Sequence, residues 1–187
     1  MSTNIFFGNP QTDADIRQIL ELQQVNLPAN ISDDELREQG FVTVQHTENL
    51  LQEMNAAEPQ IIARDEDRVV GYALVMLSSF RERVPVLIPM FELLDSLAYG
   101  EKTLSEYNYY TVGQVCVAKS HRGQGVFDGM YRQHREQMSG RYDFVVTEVA
   151  TRNQRSLRAH ARVGFKTIHR YTAPDGEEWD IILWDFK

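Results

Sequence analysis

Arg122-Gly123-Gln124-Gly125 stands at the end of an apolar run, and Asn153, Ser156 and the pair Gly164-Phe165 follow it downstream. In Tyr110–Ala118 (YTVGQVCVA) β-branched residues crowd into a strand-length stretch, and from Val126 onward Val126, Met130, Tyr131, His134 and Met138 recur at helical spacing. The local order is therefore strand, glycine-rich turn, helix. Two glycines let backbone approach a ligand without side-chain obstruction. The free N–H groups of a first helical turn, aided by the helix dipole, favour negative charge there. An anionic phosphate ester is the natural occupant, although such turns also serve as plain tight connections.

The second half of the pattern shifts the balance toward the first reading. Arg122-x-x-Gly125 together with Asn153-x-x-Ser156-x-x-Ala159-His160-x-x-x-Gly164-Phe165 resembles the GCN5-related N-acetyltransferase (GNAT) family, in which both halves occur in this order and at about this separation. The resemblance covers Tyr109–Phe165 well and the closing hairpin loosely, and the first hundred residues match only in element order. It implies acetyl-CoA as acetyl donor. Backbone groups of Val115, Cys116 and Val117 would pair with the pantetheine arm, and the N–H groups of Arg122, Gly123, Gln124, Gly125, Val126 and Phe127 would hold the pyrophosphate. Asn153 would contact the pantetheine and Ser156 would leave room for it. Asn153 is equally a good helix N-cap, and the two jobs are compatible. Gly164 suits a left-handed helix end and Phe165 a core anchor. Two departures stand out: Phe127 occupies a position that is usually Gly or Ala, and Lys119 replaces a common proline. Phe127 either crowds the pyrophosphate turn or points into the core.

Acetyl transfer to an amine asks for two proton movements. An aliphatic amine, with a pKa of about 10, arrives protonated and must lose a proton before it attacks. The run Tyr107–Ala118 offers no carboxylate, so Glu148 is the candidate base, five residues before Asn153 and twelve before His160. That spacing resembles the bacterial ribosomal-protein N-terminal acetyltransferase branch; the plain alternative is a strand-end Glu that hydrogen-bonds its surroundings. His160 stands where many relatives carry a tyrosine that protonates the departing thiolate. It is either the general acid, with an acidic form that fades above about pH 6.5, or a helix-face histidine packed beside Leu157 and Ala161. Tyr107, Tyr109, Tyr110 and Tyr131 are the other available acids. No Ser or Cys has a convincing activating partner, which favours direct transfer in a ternary complex over an acetyl-enzyme.

Charge supports the phosphate reading independently. The chain is acidic, with net charge −8, yet Lys119–Arg170 holds eleven Lys or Arg against four Asp or Glu, a local +7 that leaves −15 elsewhere. Arg152, Arg155, Arg158 and Arg162 lie around one predicted helix; most are read as solvated surface, and one or two could reach the 3′-phosphate of CoA. The acidic remainder argues against a nucleic-acid surface and suits a cationic acceptor such as a polyamine, an aminoglycoside or a protein N-terminus.

The elements that must position these residues read as one domain over 1–187. At 187 residues and 42% hydrophobic, the chain can bury a sizeable core. The lone Cys116 excludes an internal disulfide and reads as a small buried hydrophobe rather than a nucleophile. No metal-spaced Cys/His cluster, leader or long apolar span is seen, so no metal and no membrane partner are expected, and the cytoplasm is the default location. Predicted strands at Asn4–Phe7, Gln60–Ala63, Val69–Leu77, Arg141–Glu148, Lys166–Thr172 and Glu178–Phe186 alternate with predicted helices. The helices open at Thr12-Asp13, at Ser32-Asp33-Asp34-Glu35, at Thr47 and at Asn153. That order is α/β. With the resemblance, it implies a GNAT-like mixed, mostly antiparallel central sheet of about seven strands with helices on both faces. Ser78–Asn108 is long for a connection and rich in Leu, Phe and Met. It is read as an acceptor pocket wall, a core-covering lid, or, with exposed apolar residues, a homodimer surface. Two rival classes stand beside the enzyme. One is an acyl-CoA-binding module of the same fold without turnover. The other, a P-loop protein, is disfavoured by the missing Gly-Lys-Ser/Thr ending.

Overall fold

The computed structural model describes residues 4–31 and 44–187. Seven strands form one sheet: β1 (Ile5–Gly8), β2 (Ile61–Asp65), β3 (Arg68–Met76), β4 (Tyr109–Val117), β5 (Phe144–Ala150), β6 (Lys166–Thr172) and β7 (Glu178–Asp185), in spatial order β1-β2-β3-β4-β5-β7-β6. Every pairing is antiparallel except β4 with β5, which is parallel. Among the described residues five helices flank it: α1 (Asp13–Gln24), α2 (Glu48–Ala57), α3 (Ile88–Ser96), α4 (Val126–Met138) and α5 (Gln154–Val163). This is the mixed, mostly antiparallel α/β architecture expected from the sequence. The helix anticipated at Ser32–Glu35 lies outside the described residues.

Local chemistry accounts for the ends. Thr12 caps α1 through a reciprocal capping box with Asp15, and the Thr47 hydroxyl accepts the Leu50 N–H at the start of α2. Asn153 caps α5 by accepting the Ser156 N–H at 3.0 Å. Gly164 ends α5 with φ 125°, and a Cβ there would come within 2.4 Å of Trp184 Nε1, so both backbone and packing demand glycine. Phe165 is buried beside Trp184, as its reading as an anchor required.

The sheet divides the core in two. On one face α4 and α5 cover Val70, Val75, Val145 and Ile182; on the other, α1, α2 and α3 cover Ile62, Tyr72, Leu74, Val146 and Ile181. Burying each such aliphatic side chain stabilises the fold by about 1.5–3 kcal/mol. Ser78–Asn108 folds into short 3₁₀ turns, α3 and a two-strand ribbon of Ala98–Tyr99 with Lys102–Thr103. Its Val84, Leu87, Met90, Phe91 and Leu94 are buried in one cluster with Phe144 and Val146, so this segment covers part of the core. Val86 of the same segment stays exposed. Among the described residues, no helix is long and apolar enough to cross a membrane.

Candidate active site

The parallel strands β4 and β5 pair at only three positions, Tyr109 with Phe144, Tyr110 with Val145 and Thr111 with Val146. The Thr147 hydroxyl then donates to the Val112 carbonyl at 2.8 Å, and beyond that apex the strands part. β4 stays fastened to β3 on its other side, with Gly113 as the extra residue of a bulge between the Leu74–Gln114 and Val75–Val112 pairs. The split between the two strands opens a cavity of about 580 Å³. Val115, Cys116 and Val117 line it along the β4 edge beyond the β5 pairing, where the Val117 carbonyl is engaged by the Arg122 side chain. Burial pushes the Cys116 thiol up to about 11, which leaves it an inert hydrophobe.

The glycine turn closes one end. Gly123 and Gly125 take φ 74° and 78°, and a Cβ on either would meet nothing within 4 Å, so the space beside them is clear for a ligand. Gly125 is the N-cap of α4 and provides no side-chain hydrogen bond, which leaves the first-turn N–H groups at Val126 and Phe127 facing the cavity without a side-chain cap. This arrangement fits an anionic ester. The side chains of the turn point elsewhere. Arg122 donates to the Val117 carbonyl at 3.0 Å and to Asn26 Oδ1 at 3.0 Å, tying the turn to β4 and to the end of α1. Gln124 donates back to the Ser120 carbonyl at 2.7 Å, so its contribution to the cradle is backbone alone. Phe127 takes the core alternative: its ring lies 4.7 Å from that of Tyr131 and 5.0 Å from that of His160, at the cavity margin.

Charge at the cavity is sorted by α5. Arg152 pairs with Glu177, and Arg162 pairs with Asp128 at 2.7 Å, which neutralises an acid of the first turn of α4 that would otherwise repel an anion. Arg155 and Arg158 line the cavity. Arg155 is held below its ordinary range, by burial first and then by the neighbouring Arg122 charge, a crowding of positive charge that an anionic ligand would relieve. Asn153 and Ser156 line the same wall.

Glu148, on β5, lines the cavity too. Burial raises its carboxyl above the ordinary range, while a hydrogen bond from the Tyr171 hydroxyl to Oε2, 2.6 Å long, works in the opposite direction. Tyr171 had no signal in the sequence, because it lies on β6 and meets Glu148 across β7. Gln114, also missed, lines the cavity at the centre of a buried network. Its Oε1 accepts from Gln23 Nε2 and from the Tyr72 hydroxyl, both at 2.7 Å, and its Nε2 donates to the Val44 carbonyl at 2.8 Å.

His160 is packed between α4 and α5 and borders the cavity. It is 2% exposed, its Nδ1–H donates to the Ser156 carbonyl at 2.9 Å, and its Nε2 accepts from the Tyr131 hydroxyl at 2.8 Å. Burial pushes its pKa down to about 4 against the opposing effect of the Ser156 backbone, and so favours the neutral ring near neutrality. Tyr110 and Tyr131 are buried, and Tyr107 and Tyr109 stack around Phe144; among the described residues no tyrosine lines the cavity.

A family model described as "Acetyltransferase (GNAT) family" matches residues 17–165. No curated protein matches the chain in sequence. Solved structures share its fold. The ribosomal-protein-S18-alanine N-acetyltransferase from Escherichia coli superposes with a TM-score of 0.60 at 14% identity, covering 98% of this chain and 94% of that one. A putative acetyltransferase from Salmonella typhimurium, yncA, solved with its cofactor acetyl-CoA, gives 0.64 at 14% identity over 98% and 94%. An N-acetyltransferase from Staphylococcus aureus Mu50 gives 0.62 at 14% identity over 98% and 99%.

Proposed function

The chain belongs to the GNAT acetyltransferase family, and from that premise we propose that it moves an acetyl group from acetyl-CoA to a primary amine by direct attack in a ternary complex, with Glu148 as general base. The observation that carries this reading is the position of Glu148. A half-buried carboxylate with a raised pKa lies on the wall of the same cavity that the β4 edge and the start of α4 line.

Each residue then has a task. The N–H groups of the Gly123–Phe127 turn hold the pyrophosphate, the β4 edge at Val115–Val117 receives the pantetheine arm, and Arg155 and Arg158 meet the 3′-phosphate. Asn153 caps α5 and borders the pantetheine, and Ser156 leaves it room. Acetyl-CoA supplies an activated thioester. Glu148, in its ionised form, removes a proton from the incoming ammonium, directly or through water, and frees the lone pair that attacks the carbonyl. His160 positions α5 against α4. The leaving sulfur needs no strong acid: a thiol has a pKa of about 8.5, so its thiolate departs readily and takes a proton from water or from the attacking nitrogen. The acceptor is a cationic amine, either a small molecule or a protein N-terminus, drawn by the acidic remainder of the surface.

A second reading, an acyl-CoA-binding module without turnover, draws support from the neutral, fully bonded His160. One experiment separates the two. Calorimetric titration with acetyl-CoA, CoA and ATP is followed on the same protein by a thiol-release screen across polyamine, aminoglycoside and peptide acceptors. Acetyl-CoA binding with thiol release on one acceptor class is the expected result. Binding without release on any acceptor selects the silent module, and absence of binding overturns both.

A further inference from the structure

We propose that Tyr171 is a positioning residue for Glu148, holding one carboxylate oxygen so that the other is presented to the cavity. The inference rests on Glu148 being the base.

The geometry is specific. Tyr171 is on β6, the outermost strand at that edge of the sheet, and Glu148 is two strands inward on β5. The register places Tyr171 opposite Trp179 of β7, and Trp179 opposite Ala150 of β5. The phenol therefore reaches diagonally over β7 to meet Glu148 at 2.6 Å, a length typical of a hydroxyl donating to an ionised oxygen. The bond engages Oε2. Among the described residues no hydrogen bond or ion pair engages Oε1, and Glu148 lines the cavity while Tyr171 does not. Tyr171 thus touches the base and not the ligand space.

Two consequences follow from elementary chemistry. A glutamate side chain has several rotamers, and a fixed donor removes the freedom that would otherwise be lost at each turnover. The same donor stabilises the carboxylate, opposing the desolvation that raises its pKa. The other groups around the pair do not duplicate this bond. His169 stands opposite Ile181, the register partner of Glu148; Arg155 faces the cavity from α5; Asp175, in the hairpin turn, acts on Tyr171; and β4 offers only the neutral Gln114.

The test is an NMR titration of isotope-labelled glutamate carboxyl carbons, with the Glu148 signal assigned by its loss in Glu148→Gln. In Tyr171→Phe the Glu148 titration should move up by about one pH unit, the scale of one charge-assisted hydrogen bond. Affinity for CoA should not change. On whichever acceptor is turned over, the acid limb of the kcat/KM profile should move up by the same amount. A titration that stays in place, or moves down, overturns the proposal. Should Tyr171→Phe not fold, the reciprocal measurement serves on Glu148→Gln. Loss of the carboxylate should bring the Tyr171 phenol down toward its ordinary range, and an unmoved phenol overturns the proposal equally. Full transfer activity in Glu148→Gln would remove the base assignment instead, an outcome distinct from either titration.

Discussion

The Tyr131 hydroxyl on α4 donates to Nε2 of His160 on α5 at 2.8 Å, joining the helix that begins at the glycine turn to the helix that carries Arg155 and Arg158. The rings of Phe127 and Phe165 each stand edge-on to His160 at 5.0 Å. The histidine is thus a bolt between two cavity walls, and its protonation state is fixed by its two partners: Nδ1 donates to a carbonyl and Nε2 accepts from a hydroxyl.

His160→Phe should therefore lower stability more than it alters the pH profile. Loss of the two hydrogen bonds should cost about 1–3 kcal/mol, read as a lower melting temperature. The parent should show no fall in rate through pH 7 that the variant abolishes. If such a limb exists and disappears together with most of the activity, His160 is the acid after all.

Acid should unfold the protein from an unusually high pH. Burial depresses His46 to about 4, His134 to about 3 and His160 to about 4, against about 6.5 for an unfolded histidine. The unfolded chain therefore binds protons that the folded chain refuses. The stability from each group is complete above pH 6.5 and is lost as pH falls toward the folded value, by about 3 kcal/mol or more per site. Urea denaturation at steps from pH 7 to pH 4 should show a steep decline, and a flat profile would contradict the neutral burial of these rings.

Gly125→Glu should abolish CoA binding. The φ of 78° strains any side chain there, and a carboxylate placed in the open space beside the turn would repel the pyrophosphate. Calorimetry should show affinity reduced by at least about 100-fold, the scale of two such unfavourable terms. Unchanged affinity would remove the cradle assignment.

Arg155→Ala should weaken CoA binding by about tenfold, the scale of one charge-assisted contact, and should weaken dephospho-CoA less. The difference should shrink as salt rises, since partly exposed charges are screened over about 10 Å at 0.1 M. Equal losses for the two ligands would place the 3′-phosphate elsewhere.

Glu148→Gln should leave CoA affinity intact and reduce transfer by about 10²–10⁴-fold, as for removal of a general base. Because burial raises the carboxyl of Glu148, the parent's rate should fall on the acid side at a pH above the ordinary glutamate range. Comparison of kcat/KM profiles checks both statements.

The sequence by itself determined what depends on neighbours along the chain. The β-branched run at Tyr110–Ala118, the φ demanded of Gly123 and Gly125, the caps at Thr12, Thr47 and Asn153 and the helix stop at Gly164 are short-range matters of sterics and hydrogen bonding. Their pattern was enough to show a strand, cradle and helix. Only the tertiary structure decided how distant groups meet. Glu148 and Tyr171 come together because strand register brings β6 diagonally over β7; Arg152 pairs with Glu177 away from the cavity, and Arg162, on the cavity wall, is paired with Asp128, while Arg155 lines the cavity beside Arg122. Ser78–Asn108 proved to be a core cover because its apolar residues found Phe144 and Val146, which periodicity within the segment cannot reveal. The pKa of His160 is lowered because burial among Phe127, Tyr131 and Phe165 penalises its charged form. Protonation and pairing are properties of an environment, and that environment is assembled from residues far apart in sequence.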